Sequence, residues 1–477
     1  MRTLDNLLAF SPELWLLGGA LVIFVLARFT SSALTTSAAL ITVILAFLAL
    51  STQFKQTILI LDGAFRLDGF AIVVDVVVLA AAALVLLASA ADVLPGENPS
   101  PALPGFVLLA TLGATLAASA AEMVALFVAL ELLAVNLYVL AGLARRGPAA
   151  SIAGFGYLVA GVASSGLLLY GLALLFGLTG ETGLVAAGHA LAAVAPNQAV
   201  VMLALSLLLG GFALRMGLLP ARWWTRGFEV GVPLRVVVFI ESVGVVTALA
   251  VFGRLAASTF SGTHIAYPAV LAGVAAVAMT AGNLLALTQT SVRRLLAYST
   301  IAQAGFALAA LTDIRGTGLT ALLIFLVALA LTSIGAFTAV IAYARSIHSD
   351  AIRDLAGMSR WSPGLAVALT VALLSFAGLP PTAGFFGKLF VLQSAIEGGY
   401  AWLAVVGLAN IVLAGLGYVR VIRTVLVDPP VFEVKPAQLD RGILAAVGLA
   451  ATGIVFTGLL LGPLYAAAAY ARASLLH

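Results

Sequence analysis

Ser375-Phe376-Ala377-Gly378-Leu379-Pro380-Pro381-Thr382-Ala383-Gly384-Phe385-Phe386-Gly387-Lys388-Leu389 lies inside an apolar run of membrane length. Proline lacks the backbone donor and clashes with the preceding turn, so a helix through Pro380 and Pro381 must break or kink. In hydrocarbon the carbonyls freed by such a break need new partners, which they find only where the break is buried in protein or lines a hydrated cavity. Lys388 follows closely. It is one of three lysines, with Lys55 and Lys435, and the only one inside an apolar span. A cation near the bilayer centre costs roughly 2.5 to 3.5 kcal/mol, which marks this lysine as a functional candidate. A broken helix bearing a titratable group points to an ion path.

The rest of the chain fits that reading. Of 477 residues, 63% are hydrophobic and 9% charged, a balance that indicates a polytopic membrane protein. The net charge of +4 then reflects topology-setting loop residues and not nucleic-acid binding. With no cysteine the chain has no disulfide, thiolate metal site or iron–sulfur ligation of its own. The histidines are His189, His264, His348 and His477, all in expected loops or at the terminus, which disfavours haem ligation within the membrane. The first apolar span lacks the layout of a cleaved leader and is expected to be retained.

Apolar windows fall at 13–29, 33–52, 70–92, 103–120, 121–143, 150–178, 198–219, 233–256, 267–289, 291–312, 317–344, 363–396, 401–424 and 442–465, which predicts fourteen transmembrane helices. With the N-terminus outside, fifteen basic residues fall in inner loops and six in outer segments. This asymmetry places both termini on the outer face. Residues 53–69 alternate β-branched residues with Asp-Gly turns and predict an outer hairpin. Residues 93–102 read as a Pro-rich inner loop, and 183–196 as a weakly amphipathic interfacial segment.

A second break is expected in the seventh span, at Gly210-Gly211-Phe212-Ala213-Leu214-Arg215-Met216-Gly217-Leu218-Leu219-Pro220. It again joins glycines and a proline to an intramembrane cation, Arg215. The two breaks are five spans apart and therefore lie in helices of opposite direction. That spacing predicts an inverted repeat of two five-helix units with broken helices 7 and 12. The expected organisation is an N-terminal three-helix segment with the hairpin (1–102), a first unit (103–256), a second unit (267–424), and an inner loop with a C-terminal helix (425–477).

The ionisable residues inside spans are Asp75, Glu131, Arg215, Glu241 and Lys388. Asp75 sits near a span end, where it is expected to reach the headgroup region. Glu131 has more than two apolar turns before it; a structural salt bridge competes there with a proton or ion site. Lysine loads and releases protons when desolvated, whereas arginine stays charged and biases neighbours without relaying. Glu241 is a candidate partner for Arg215. Tyr298, Ser299 and Gln303, in Ala297-Tyr298-Ser299-Thr300-Ile301-Ala302-Gln303, are candidates for a water wire. No phosphate loop, metal spacing or nucleophile triad is evident.

These residues resemble a known family. Gly282-Asn283-Leu284-Leu285-Ala286-Leu287-Thr288-Gln289, the following Arg293-Arg294 to Gly305 stretch, and Gly378-Leu379-Pro380-Pro381-Thr382-Ala383-Gly384-Phe385-Phe386-Gly387-Lys388 are similar to the antiporter-like membrane subunits of respiratory complex I. The likeness runs over nearly the whole chain and is greatest to the subunit N branch. The M branch typically has Glu where Lys388 stands, and the L branch extends into a long lateral helix.

The resemblance implies proton translocation through two linked half-channels, with Glu131 and Lys388 as functional residues, driven by quinone reduction elsewhere in the complex. It implies other complex I membrane subunits and the lipid bilayer as partners, with no nucleic acid, and a bacterial inner membrane as location. Quinone, NADH, flavin and iron–sulfur clusters would belong to partner subunits, and this chain would bind no cofactor or metal. The first unit departs from the family: Arg215 stands where the seventh-helix lysine is expected, Val245 where the eighth-helix lysine is expected, and Gly227 where a loop acid is expected. Glu241, one turn before Val245, is the candidate replacement. A cation/proton antiporter subunit, a hydrogenase-type relative and a non-pumping scaffold share enough of the pattern to remain as alternatives.

Overall fold

The computed structural model describes residues 8–54, 56–89, 100–143, 148–193, 198–218, 234–262, 266–430 and 441–476. Every expected span is matched by helix, the twelfth by two half-helices, Pro363–Ala377 and Ala383–Glu397. Eleven helices are long and apolar enough to cross a membrane by length and composition. Ser11–Leu26 and Leu103–Ser119 are shorter apolar helices beside them. The protein is thus an all-α, multi-pass membrane protein. The one sheet among the described residues is the expected hairpin, Ile58–Ile60 paired antiparallel with Phe65–Leu67, its turn made by Leu61, Asp62 and Gly63 at positive φ.

The two five-helix units repeat each other's contacts. In the first, the fourth span (Leu103–Ser119) lies so close to the fifth (Met123–Leu143) that a Cβ on Gly113 would stand 2.4 Å from the backbone nitrogen of Leu133. In the second, the ninth span (Tyr267–Leu287) meets the tenth (Val292–Ala310) in the same way. A Cβ on Gly282 would stand 2.6 Å from the Ala302 nitrogen. Small residues permit this approach where no hydrophobic effect drives helices together.

The connecting segments match as well. Met123 N–H donates to Thr182 and Leu184 N–H to Ala121, forming the Glu122–Gly183 bridge; Val292 N–H donates to Asp350 and Ile352 N–H to Thr290, forming the Ser291–Ala351 bridge. Thr300 follows Ser291 by the same nine residues that separate Glu131 from Glu122. The tenth-span threonine therefore occupies the position of the fifth-span carboxylate.

Both breaks use one device. At the end of Gln198–Arg215, Gly217 N–H donates to Leu214 and Leu218 N–H to Ala213, with Gly217 at φ +72°. At the end of Pro363–Ala377, Gly378 N–H donates to Ser375 and Leu379 N–H to Leu374, with Gly378 at φ +77°. Each is a Schellman motif, which needs a left-handed residue that glycine adopts without strain. The seventh helix therefore ends at Gly217; Pro220, with Arg222, Trp224 and Gly227, lies outside the described residues.

Three expectations are corrected by packing. Arg254, counted as an outer-segment residue, is 2% exposed within the eighth span (Val236–Phe260). It donates to the Asp68 carboxylate at 2.6 Å and stacks on Phe70 at 5.2 Å, because burial demands a paired charge. Asp75 does not reach the headgroup region: it is 1% exposed, with Glu13, Arg254 and Asp68 around it and neither carboxylate oxygen hydrogen-bonded among the described residues. The fourteenth window is two helices, Arg441–Leu459 and Leu461–Leu476, since Pro463 has no N–H for the Leu459 carbonyl. The last helix folds over the third span (Gly69–Ser89), where Tyr470 and Ser474 cover Gly69.

Asp68 also accepts the Ala71 N–H at 2.9 Å, so one carboxylate caps the third span and neutralises Arg254. Arg254→Ala leaves that buried carboxylate with only the longer contact to Arg66 Nε, at 3.6 Å, a loss of up to about 3 kcal/mol. Thermal unfolding of the purified protein in detergent is expected to show a markedly lowered midpoint. Replacement by Met, which fills the space without compensating the charge, is expected not to restore it.

Candidate functional site

The centre of the second unit is the carbonyl of Phe376. In an unbroken helix it would accept from residue 380, but Pro380 has no N–H to give. Two buried side chains take that place. Lys388 Nζ, 1% exposed, donates to the Phe376 oxygen and lies 4.6 Å from the centre of the Phe306 ring, a cation–π contact. Gln303 Nε2 donates to the same oxygen at 3.3 Å. The lysine thus has one oxygen and one aromatic face for a head group with three donors.

Glycines make room for this. A Cβ on Gly378 would lie 3.0 Å from Lys388 Cδ, and one on Gly384 would lie 1.9 Å from the Ser375 carbonyl oxygen. The second half-helix is held against the first by Gly384 N–H donating to Ser375 Oγ at 3.1 Å. That hydroxyl also meets Thr332 Oγ1 at 2.7 Å. Gly387 brings the half-helix onto the eleventh span (Gly318–Ile347), with its Cα facing Phe325.

In the first unit Arg215 closes an ion pair. Its Nη2 donates to Glu131 Oε1 at 2.5 Å and to Ser165 Oγ at 3.1 Å. Its Nε and Nη1 donate to Ser164 Oγ at 3.1 Å and the Leu130 carbonyl at 3.0 Å. Ser165 Oγ donates to Glu131 at 2.6 Å. Glu131 is 27% exposed and Arg215 11%. All three guanidinium nitrogens are engaged, so the arginine fixes Glu131 in place. The expected pairing of Arg215 with Glu241 does not form. Glu131 thus sits in a salt bridge.

Beside the pair is a cavity of about 40 Å³ bordered by Tyr138, Tyr157, Ser164, Arg215, Ile240 and Gly244, room for about three waters. Ile240 and Gly244 bound the five-residue π turn that contains Glu241. π turns inside α-helices are frequent at functional sites. The Glu241 carboxylate faces Thr300 of the tenth span, and its other oxygen has no hydrogen-bond partner among the described residues. Val245, one turn on, is packed in the core at 3% exposure.

The tenth span therefore has polar groups toward both units. Thr300 meets Glu241, while Ser299 and Gln303 face Tyr418 of the thirteenth span (Ala401–Leu426). The Tyr418 ring stacks on Phe376, with centroids 6.1 Å apart. Tyr298 is buried, its carbonyl packed on Gly282. Sequence reasoning singled out Lys388, Gln303, Ser299 and Glu241, did not foresee the pairing of Thr300 with Glu241, and missed Tyr418 and Phe306. The equal spacing of Glu131 and Thr300 from the two short inter-helix turns was the signal available for Thr300.

The family model described as NADH:quinone oxidoreductase/Mrp antiporter, TM, matches residues 120–414, which contain both breaks and every residue of this site, Tyr418 excepted. The chain belongs to that family. It is 34% identical to NADH-quinone oxidoreductase subunit N of Anaeromyxobacter sp. (strain Fw109-5), over 94% of this chain and 93% of the relative. It is similar to a chain of respiratory complex I from Thermus thermophilus with bound aureothin, at 29% identity and a TM-score of 0.80, covering 95% and 98% of the two chains. A chain of the Mrp complex from Dietzia sp. DQ12-45-1b, 20% identical with a TM-score of 0.86 over 99% and 98%, shares the fold.

Gly217→Ala and Gly378→Ala separate the two roles of the break glycines. Each places a side chain at positive φ, for a loss of about 1 kcal/mol, seen as similar drops in unfolding midpoint. Only Gly378→Ala pushes the Lys388 stem, so only this variant is expected to lose transport activity beyond its loss of folded protein.

Proposed function

We propose that this chain is an antiporter-like, proton-translocating membrane subunit of a complex I-type NADH:quinone oxidoreductase. The observation that carries the reading is a row of polar groups crossing the bundle, partly exposed at Glu131 and Arg215 and buried at Gln303 and Lys388. It runs from Glu131 and Arg215, past the 40 Å³ cavity, to Glu241, Thr300 and Gln303, and ends at Lys388 on the Phe376 carbonyl. Buried ionisable residues of this kind mark proton relays.

Each residue has a distinct part. Arg215 holds its charge and keeps Glu131 oriented, so it sets the field without carrying a proton. Glu241 takes the relay position that Val245 leaves empty, on the π turn whose Ile240 and Gly244 border the Arg215 cavity. The Thr300 hydroxyl, both donor and acceptor, passes the proton on from Glu241 toward the second unit. Lys388 is the loading group there, and Gln303 holds the carbonyl it releases. Moving one charge against 100 mV requires about 2.3 kcal/mol, within reach of a small displacement of the Gly378 to Gly384 break.

The electron-transfer chemistry then belongs to partner subunits that hold quinone, NADH, flavin and iron–sulfur clusters, and the enzyme activity is that of the assembled complex. Neighbouring membrane subunits and lipid surround this chain. The excess of arginines at one end of the loops supports that end as the inner face of a bacterial plasma membrane, with both termini outside.

In assembled complex reconstituted into vesicles, Lys388→Ala is expected to abolish proton translocation through this subunit while the complex still assembles. Unchanged stoichiometry and turnover would remove the transport role. Glu241→Gln keeps the shape and loses the titratable group; translocation is expected to fall on the order of tenfold or more. If it has no effect, the first unit does not conduct through Glu241.

A further inference from the structure

Tyr418 is the largest polar side chain next to Phe376 that the path above leaves unused. It is 2% exposed, and its hydroxyl lies beside Ser299 and Gln303 without a well-formed hydrogen bond to any described residue. A buried phenol normally has a partner.

Next to it lies a gap of about 10 Å³ bordered by Asn283, Ala286, Leu287, Ser299, Ala414 and Tyr418. Asn283 is 1% exposed. Its Nδ2 is engaged with Asn410, at 3.1 Å to the carbonyl and 3.0 Å to Oδ1, while its own Oδ1 has no partner among the described residues. Two buried polar atoms without partners thus border a space about the size of one water. A site is hydrated when it is polar, large enough for the probe and offers two to four partners; this one offers Tyr418 Oη, Asn283 Oδ1 and Ser299 Oγ.

The position of the gap gives it a direction. Leu287 ends the ninth span, and its carbonyl, with that of Gln289, accepts from Arg420 at 3.3 and 2.6 Å. The gap therefore lies between the Phe376 carbonyl and the arginine-rich end of the bundle. Arg420 closes over the loop behind it. No acidic side chain of the described ninth, tenth or thirteenth spans borders it.

We propose that this gap is a one-water proton station, and that Tyr418 is a proton-conducting residue linking Lys388 to the arginine-rich end. The step balances without any co-reactant. The tyrosine hydroxyl gives its proton, through water, to the uncharged Lys388 amine, which becomes the ammonium, and takes one from the water held by Asn283, so Tyr418 ends as it began. The water is renewed from the Arg420 side. Gln303 is a positioning residue, since it holds the Phe376 carbonyl. The inference rests on Lys388 as the loading group of the second unit.

The test uses the assembled complex in vesicles, with proton translocation, electron-transfer turnover and the solvent deuterium isotope effect measured for three variants. Tyr418→Phe keeps the ring on Phe376 and loses the hydroxyl; translocation is expected to slow on the order of tenfold and the isotope effect to change. Ala414→Val fills the gap with every polar group intact and is expected to reproduce that loss. Lys388→Ala serves as the control for the underlying reading. If Lys388→Ala abolishes translocation while Tyr418→Phe and Ala414→Val leave rate and isotope effect unchanged, the water station is wrong and Lys388 stands. If Lys388→Ala itself has no effect, the parent reading fails. Should Tyr418→Phe not assemble, Ala414→Val decides alone. A high-resolution map of the complex with no water between Tyr418 and Asn283 also overturns the proposal.

Discussion

A single orphaned carbonyl organises the second unit. Pro380 takes away the donor that Phe376 would have had, and in a membrane interior that oxygen cannot be left to solvent. The charge that satisfies it, Lys388, is the group most costly to bury there. Each makes the other tolerable. The surrounding choices follow: Gly378 for a left-handed turn and for the lysine stem, Gly384 for contact with the Ser375 carbonyl, and Gln303 for the second hydrogen bond.

The first unit has the same helix end and a different outcome. Its Schellman turn at Gly217 matches that at Gly378 in every hydrogen bond, yet the cation precedes the turn instead of following it. Arg215 turns outward to Glu131 and two serines and forms a closed pair. In the matching place of the second unit the carboxylate is replaced by Thr300, which faces Glu241. One architecture thus holds a fixed charge pair on one side and a hydrogen-bonding relay on the other. The tenth span, polar on both sides and buried along almost its entire length, is where they meet.

Outside the repeat, the chain ends tie the bundle together at the end opposite the arginine-rich loops. Asp68 and Arg254 join the start of the third span to the eighth. Arg66 donates to the Ser474 carbonyl at 2.7 Å, and Arg472 donates to the carbonyl of Gly316. A charge count along the chain treats Arg66, Arg254 and Arg472 alike as outer residues. Only the fold reveals that all three are spent on internal partners.

The sequence by itself determined the class of fold, the apolar segments that the described helices match, the hairpin and the break at Pro380 and Pro381. These follow from hydrophobic length, from proline's missing donor and from glycine's freedom, which are properties of the local chain. The tertiary structure decided who pairs with whom. That Arg215 meets Glu131 and not Glu241, that Thr300 answers Glu241, and that Tyr418 stands behind Phe376 depend on which helix faces are brought together. Contacts of this kind join residues far apart in the chain, 186 positions for Asp68 and Arg254, and no periodicity within a single helix encodes its neighbour. The opening stretch around Pro380 announced an ion path; its partners were supplied by helices ten and thirteen.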